Sequence, residues 1–104
     1  MTADRRIVRA TASLFDDLDR QLPAERGANG EPSSNDFQVF ELLRIVEGFA
    51  VGWDYLPQLI PGRSDYRLMI ATGVLIRSFA VVGQLASDGA IELIQLDIDI
   101  DSSW

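Results

Sequence analysis

Two arginines in the C-terminal half, Arg67 and Arg77, are the side chains of this sequence best suited to chemistry on an anion. A guanidinium presents a fork of N–H donors that matches the oxygens of a phosphate or a carboxylate. The pair could therefore bind a phosphate or contact a partner molecule. They could equally form cross-strand ion pairs with Glu92 or Asp97, because such pairs are common on the solvated face of a sheet.

Acidic residues alternate with apolar ones near the C-terminus, at Asp97, Asp99 and Asp101. Carboxylate oxygens are ligands for hard cations such as Mg²⁺ or Ca²⁺. Successive side chains on one face of a strand are about 7 Å apart, so the three carboxylates cannot share one ion. The sequence thus predicts no metal site and no cofactor. It predicts a solvated strand end, with Asp97 and Asp99 as candidate contacts for a partner; mimicry of nucleic-acid phosphates is an alternative.

Several reaction classes are excluded by the residue types that the chain lacks. It has no Cys, no His and no Lys, and all nine of its basic residues are Arg. Thiol nucleophiles, imidazole bases, Schiff-base chemistry and typical zinc sites need those side chains. Catalysis would have to use carboxylates, Arg, Tyr, hydroxyl or backbone groups. Composition alone therefore narrows the possible reactions and leaves open whether the protein is an enzyme.

The net charge of −7, from 16 acidic and 9 basic residues, bears on the choice of partners. Affinity for nucleic acid depends on Lys and Arg that neutralise phosphates, so no direct nucleic-acid binding is expected. No apolar run approaches the ~20 residues of a membrane span, and no signal peptide is recognisable at the N-terminus. We therefore expect a cytoplasmic protein with no membrane partner.

The first elements of the predicted fold are a short strand and a helix. At this length, residues 1–104 form one domain. The strand includes Ile7 and Val8, and the helix after it is capped by Thr11 or Ser13. One face of this helix is apolar and consists of Leu14, Phe15, Leu18 and Leu22.

A second, longer helix follows a loop at residues 24–35, whose Gly, Pro, Ser and Asn content is typical of a connection. The helix is capped by Ser34 or Asn35 and ends before Pro57. Its apolar stripe consists of Val39, Leu42, Leu43, Val46, Phe49, Ala50, Trp53 and Leu56.

Period-two alternation replaces the helical pattern after the second helix and predicts a meander of three antiparallel strands. The strands cover residues 66–71, 74–85 and 90–101, and a turn at residues 87–89 joins the last two. The predicted fold class is therefore α+β. Two antiparallel helices pack on one face of a mainly antiparallel sheet of about four strands, which includes the short N-terminal strand.

The face of the sheet that the helices leave uncovered is the candidate functional surface, and we expect Arg67 and Arg77 on it. Tyr55, which lies off the helical stripe, and the terminal Trp104 are further candidate contacts for a partner. Strict alternation in the last strand assigns one face to Ile91, Leu93, Gln95, Asp97, Asp99 and Asp101, and the other face to Ile94, Leu96, Ile98 and Ile100.

This order of elements, with the segments DYRLMIA, IRSFAVVGQL and GAIELIQLDIDI in the meander, resembles the RelE/ParE superfamily of bacterial toxins over roughly residues 5–101. The resemblance implies the toxin of a toxin–antitoxin pair, silenced by a cognate antitoxin. RelE-like members cut messenger RNA on the ribosome, whereas ParE-like members act on DNA gyrase. By position, Arg67 matches a basic residue of RelE-like members, and Arg77 matches the arginine that stabilises the transition-state phosphate.

The chain departs from RelE-like members in two places. Met69 stands where they often have another basic residue, and Asp99, Asp101 and Ser102 stand where they have Arg and then Tyr. A carboxylate about 4 Å from a substrate phosphate would repel it by roughly 4 kcal/mol at an effective dielectric constant of ~20. The sequence therefore favours a toxin that binds gyrase or the ribosome without cutting RNA. The alternatives are a non-catalytic interaction module of the same fold, for example a homodimer, and a divergent RelE-like mRNA endoribonuclease.

Overall fold

A five-stranded sheet and two helical segments form the structure, so the α+β class expected from the sequence is confirmed. The computed structural model describes residues 5–28, 30, 32–73 and 78–99. The elements in chain order are β1 (Val8–Ala10), α1 (Ala12–Gln21), α2 (Ser34–Phe37), a π turn (Gln38–Leu42), α3 (Leu43–Gly52), a 3-10 turn (Trp53–Tyr55), β2 (Gln58–Ile60), β3 (Arg63–Ala71), β4 (Ser78–Leu85) and β5 (Ile91–Asp99).

The strand order across the sheet is β1-β5-β4-β3-β2. β1 runs parallel to β5, and the other neighbouring strands are antiparallel. The N-terminal strand therefore extends the meander at its β5 side. β2 is an edge strand that the sequence did not predict. Its three residues lie between Pro57 and Pro61, which leaves too short a run for alternation to be visible.

α1 begins and packs as predicted. The hydroxyl of Thr11 caps it by accepting a hydrogen bond from the Leu14 N–H. Leu14, Leu18 and Leu22 are buried, because a spacing of four residues places them on one face of the helix. Phe15 packs against the same core with part of its surface exposed.

The second helical segment, from α2 through the 3-10 turn, has a different cap from the one predicted. Ser33, rather than Ser34 or Asn35, is the N-cap residue. The Ser33 hydroxyl accepts a hydrogen bond from the Asp36 N–H at 3.1 Å, and the Asp36 carboxylate accepts one from the Ser33 N–H at 2.9 Å. Ser33 takes this position because an acidic residue three positions later completes a capping box.

The π turn changes which face of this segment is buried. Val39 and Leu43 are predicted core residues, but they are 61% and 69% exposed. A spacing of four residues drifts by about 40° per step around an ordinary α-helix, and the wider π turn offsets this drift. Five buried positions are therefore spaced four apart, at Phe37, Glu41, Ile45, Phe49 and Trp53, and Ala50 is buried beside Phe49.

A β-bulge in β5 breaks the alternation predicted for that strand. Val82 pairs with Gln95, whereas the next residue, Gly83, pairs with Leu93. Ile94 is therefore an extra residue on β5, and the side chains on either side of it are out of phase.

The bulge corrects the predicted faces of the last strand. Leu93 and Leu96 are both fully buried, although their odd separation would place them on opposite faces of a regular strand. Asp97 and Asp99 are exposed. The prediction that Ile91 and Leu93 share a face with these two aspartates is wrong, because the inserted residue reverses the phase between them.

Candidate functional site

Among the described residues, no helix packs against one face of the sheet. Met69 on β3 and Gly83 on β4 face α3, since a Cβ atom at Gly48 would contact the Met69 side chain and one at Gly83 would lie 2.6 Å from Phe49 Cε1. The alternate residues of β3, β4 and the C-terminal part of β5 therefore point away from the helices. We call this surface the open sheet face; it consists of Tyr66, Leu68, Ile70, Ala80, Val82, Gln84, Gln95, Asp97 and Asp99.

Apolar side chains occupy the β3 and β4 part of the open sheet face. Leu68 pairs with Val82, and Ile70 pairs with Ala80. Val82 is only 5% exposed. Ile70, at the end of this apolar strip, is 70% exposed. A branched aliphatic side chain exposed to this extent is available to a partner.

Carboxylates occupy the β5 part of the same face. Asp97 pairs with Ala80, and Asp99 pairs with Ser78. Asp97 accepts a hydrogen bond from Gln95 Nε2 at 3.4 Å, and Asp99 accepts one from the Ser78 hydroxyl at 3.3 Å. Within the described part of the chain, neither aspartate forms an ion pair. Their charges are therefore free to attract a cationic group.

Arg9 neutralises the acidic residues at the opposite end of the sheet. Its guanidinium lies 3.0 Å from an Asp88 oxygen and 3.5 Å from a Glu92 oxygen. The hydrogen bond to Asp88 raises the pKa of Arg9, and the same contact lowers the pKa of Asp88. Glu92 was a candidate ion-pair partner for Arg67 or Arg77, but in the structure it pairs with Arg9.

Arg67 does not lie on the uncovered face, and this prediction is wrong. It pairs with Gly83 and is in phase with Met69, so its side chain points to the helical side of the sheet. There its Nη1 donates to the Leu56 carbonyl at 2.8 Å, and its guanidinium lies 5.7 Å from the centre of the Trp53 ring. Trp53 begins the 3-10 turn after α3, and Leu56 directly follows that turn. Neither contact can be predicted from the alternation of β3.

The other predicted site residues are not brought together with Arg67 on one surface. Arg77, Asp101 and Trp104 lie outside the described residues. Asp97 and Asp99 are on the open sheet face, whereas Tyr55 is 91% exposed at the end of the 3-10 turn. In residues 5–28, 30, 32–73 and 78–99 there is no group of three or more acidic side chains that could hold a metal ion.

Sequence reasoning missed the exposed apolar surface of the second helical segment. Val39, Phe40 and Leu43 are all exposed there. The pattern that could have predicted this surface is the four-residue spacing of Phe37, Glu41, Ile45, Phe49 and Trp53. An unbroken α-helix does not keep residues with that spacing on one face. None of the helices in the described residues is long and apolar enough to cross a lipid bilayer.

The described side chains bring together exposed apolar groups and unpaired carboxylates, an arrangement suited to binding another polypeptide. In comparisons with known proteins, no family model, curated protein or solved structure matches this chain. The function therefore has to be argued from the open sheet face and its surroundings.

Proposed function

We propose that this chain is a non-catalytic protein-interaction module whose open sheet face binds a basic, amphipathic segment of a partner protein. The single observation that carries the proposal is the cross-strand row formed by Ile70, Ala80 and Asp97. It places a largely exposed aliphatic side chain and an unpaired carboxylate on one uncovered surface, separated by a small residue.

The apolar part and the acidic part of the open sheet face each select a feature of the partner. Ile70 and Leu68 favour apolar groups, because burying apolar surface is worth roughly 25 cal/mol per Å². Asp97 and Asp99 favour Lys or Arg beside those apolar groups. The net charge of −7 also speeds the approach of a cationic segment, since long-range electrostatic attraction raises association rates. A nucleic acid is repelled by the same charges.

Titration with a synthetic basic peptide tests this proposal. The peptide has Leu on one helical face and Lys on both flanks, and a scrambled peptide of the same composition tests for non-specific attraction. We expect the amphipathic peptide to bind tighter, with resonance shifts on β3, β4 and β5 in an NMR titration. Equal affinity for the two peptides would show that only net charge is involved and would overturn the proposal.

A matched pair of variants separates local from overall charge. Asp97→Asn combined with Asp99→Asn should weaken peptide binding roughly tenfold, or about 1.4 kcal/mol. Asp16→Asn combined with Asp19→Asn removes the same charge from exposed positions of α1 and should change the affinity less than about twofold, because screened charges far from a binding face contribute little. The same loss in both variants would contradict a role for the open sheet face.

A second proposal is a growth-inhibiting toxin of the RelE/ParE kind, acting in the cytoplasm on gyrase or the ribosome and neutralised by a cognate antitoxin. The order of one strand, two helical segments and an antiparallel meander supports it. The position of Arg67 weighs against the RelE-like endoribonuclease, because that guanidinium is bound to backbone carbonyls behind the sheet.

Induced expression in a bacterial host tests the toxin proposal. A toxin arrests growth, whereas a harmless interaction module does not. If growth stops, assays of gyrase supercoiling and of mRNA cleavage distinguish the two targets. Arg77→Ala should abolish the arrest if that side chain contacts the target, and Arg63→Ala is the control because Arg63 is already paired with Asp65.

A further inference from the structure

Arg67 differs from the other described arginines in its lack of an ion pair. Of the nine arginines, Arg77 lies outside the described residues, and seven of the remaining eight lie within 4.0 Å of a carboxylate oxygen. Arg67 has no carboxylate partner among the described residues, although acidic residues outnumber basic ones in the chain. Its charge is therefore uncompensated by any neighbouring anion in this part of the structure.

Neutral groups hold the Arg67 guanidinium in place. Its Nε donates to the Ser64 carbonyl at 3.1 Å, its Nη1 donates to the Leu56 carbonyl at 2.8 Å, and its face lies over the Trp53 ring. A guanidinium has five N–H bonds, so three remain without an acceptor among the described residues. The side chain is thus oriented in advance and keeps hydrogen-bonding capacity for a ligand.

Two exposed apolar residues belong to the backbone segments that flank this arginine. Tyr55 precedes Leu56 in the chain and is 91% exposed, and Ile60 on the edge strand β2 is also exposed. β2 lies directly beside Arg67, since Gln58 pairs with it. Tyrosine, tryptophan and arginine are the residues most enriched among those that dominate the binding energy of protein interfaces.

We propose that Arg67 is an anchor for a single carboxylate of a partner polypeptide, an Asp or Glu side chain flanked by apolar residues. A planar carboxylate matches the remaining N–H bonds of the guanidinium. The exposed Tyr55 and Ile60 suit apolar groups next to that carboxylate. A polyphosphate ligand is disfavoured, because the chain carries a net charge of −7.

This site is independent of the open sheet face. Arg67 points to the helical side of the sheet, whereas Ile70 and Asp97 point to the opposite side. The partner chemistry is also reversed, since the open sheet face selects cations and Arg67 selects an anion. Either proposal can therefore fail without the other.

The test is an NMR titration that follows the side-chain Nε–H resonances of the arginines. The probe is the peptide amide Ac-Ser-Leu-Glu-Leu-Ser-NH2, and its Gln counterpart is the matched control. We expect a saturable shift of the Arg67 resonance with the Glu peptide and binding weaker by about fivefold or more with the Gln peptide, because only the carboxylate pairs with the guanidinium charge. Equal shifts with both peptides would overturn the proposal without the need for any variant.

Two variants and a second anion complete the test. Arg67→Lys should lose most of the affinity for the Glu peptide, since an ammonium keeps the charge but not the fork. Arg63→Lys, on the same strand but paired with Asp65, should keep it. Unchanged binding by Arg67→Lys, or inorganic phosphate that binds the wild-type protein more tightly than the Glu peptide, would overturn the assignment of a carboxylate site.

Discussion

The carboxylate of Asp17 in α1 accepts a hydrogen bond from the backbone N–H of Leu96 in β5 at 3.0 Å. Gln21, one turn further along the helix, donates to the Leu96 carbonyl at 2.6 Å and accepts from the Ile98 N–H at 2.7 Å. β1 pairs with β5 only as far as Leu93. Beyond that point, side chains of α1 occupy the positions that a neighbouring strand would take, and the edge of the sheet is closed.

Replacement of Gln21 by Ala should therefore destabilise the protein by roughly 1–3 kcal/mol, because backbone groups at Leu96 and Ile98 lose their partners. Urea unfolding monitored by circular dichroism measures the change. Asp19→Ala, at an exposed position of the same helix, is the control and should change the free energy of unfolding by less than about 0.5 kcal/mol. Equal effects of the two substitutions would show that the hydrogen bonds of Gln21 to β5 do not contribute to stability.

The capping box of the second helical segment makes stability depend on pH. Hydrogen bonds from Arg26 and from the Ser33 N–H hold the pKa of Asp36 well below its usual range. A carboxylate with a lowered folded-state pKa stabilises the fold above its unfolded pKa, and this contribution disappears as the pH falls through the folded pKa. Asp36→Asn should thus be less stable than wild type at neutral pH, and the difference should shrink below about pH 4.

Urea unfolding of the two proteins at neutral and at acidic pH measures this convergence. Arg26→Gln removes the main cause of the lowered pKa of Asp36. This variant should also be less stable than wild type at neutral pH, and the difference should shrink at acidic pH. A stability difference between wild type and Asp36→Asn that stays constant down to strongly acidic pH would mean that the carboxylate charge does not contribute.

The close approach of α3 to the sheet gives a third prediction. A Cβ atom at Gly83 would lie 2.6 Å from Phe49 Cε1, so Gly83→Ala should destabilise the fold by about 1–3 kcal/mol through overpacking. At Gly52 nothing lies within 4 Å of the added methyl group, and Gly52→Ala should leave the stability unchanged or raise it by up to about 1 kcal/mol. Thermal unfolding of both variants measures these changes. A loss of stability in Gly83→Ala alone would show that the contact with Phe49, rather than backbone flexibility, requires glycine at position 83.

The parts of the fold that depend on neighbouring residues in the chain could be predicted from the sequence. Leu14, Leu18 and Leu22 lie on one helical face because of their spacing alone, and the Thr11 cap follows from its position before that helix. The three strands of the meander are visible in the same way, since alternation is a local pattern.

The orientation of the site residues depends on distant contacts and could not be predicted. Ile94 is an extra residue only in relation to Val82 and Gly83 on the adjacent strand, yet it decides which side chains of β5 share a face with Asp97. On the helical side of the sheet, the guanidinium of Arg67 is held by the carbonyl of Leu56, eleven residues earlier in the chain, and by the indole ring of Trp53. These contacts are formed between elements and leave no periodic signal.

The last prediction separates binding from folding on the open sheet face. Ile70→Ser replaces a side chain that is 70% exposed, so it should change the free energy of unfolding by less than about 0.5 kcal/mol. Leu93→Ala, in the core of the same sheet, should lower the free energy of unfolding by about 2–5 kcal/mol.

If Ile70 is a contact for a partner, Ile70→Ser should nevertheless weaken binding of the basic amphipathic peptide roughly tenfold, because the aliphatic surface buried in the complex is lost. Calorimetric titration and urea unfolding of one preparation give both numbers. A stable Ile70→Ser protein that binds the peptide like wild type would remove the apolar strip from the binding surface and leave only Asp97 and Asp99.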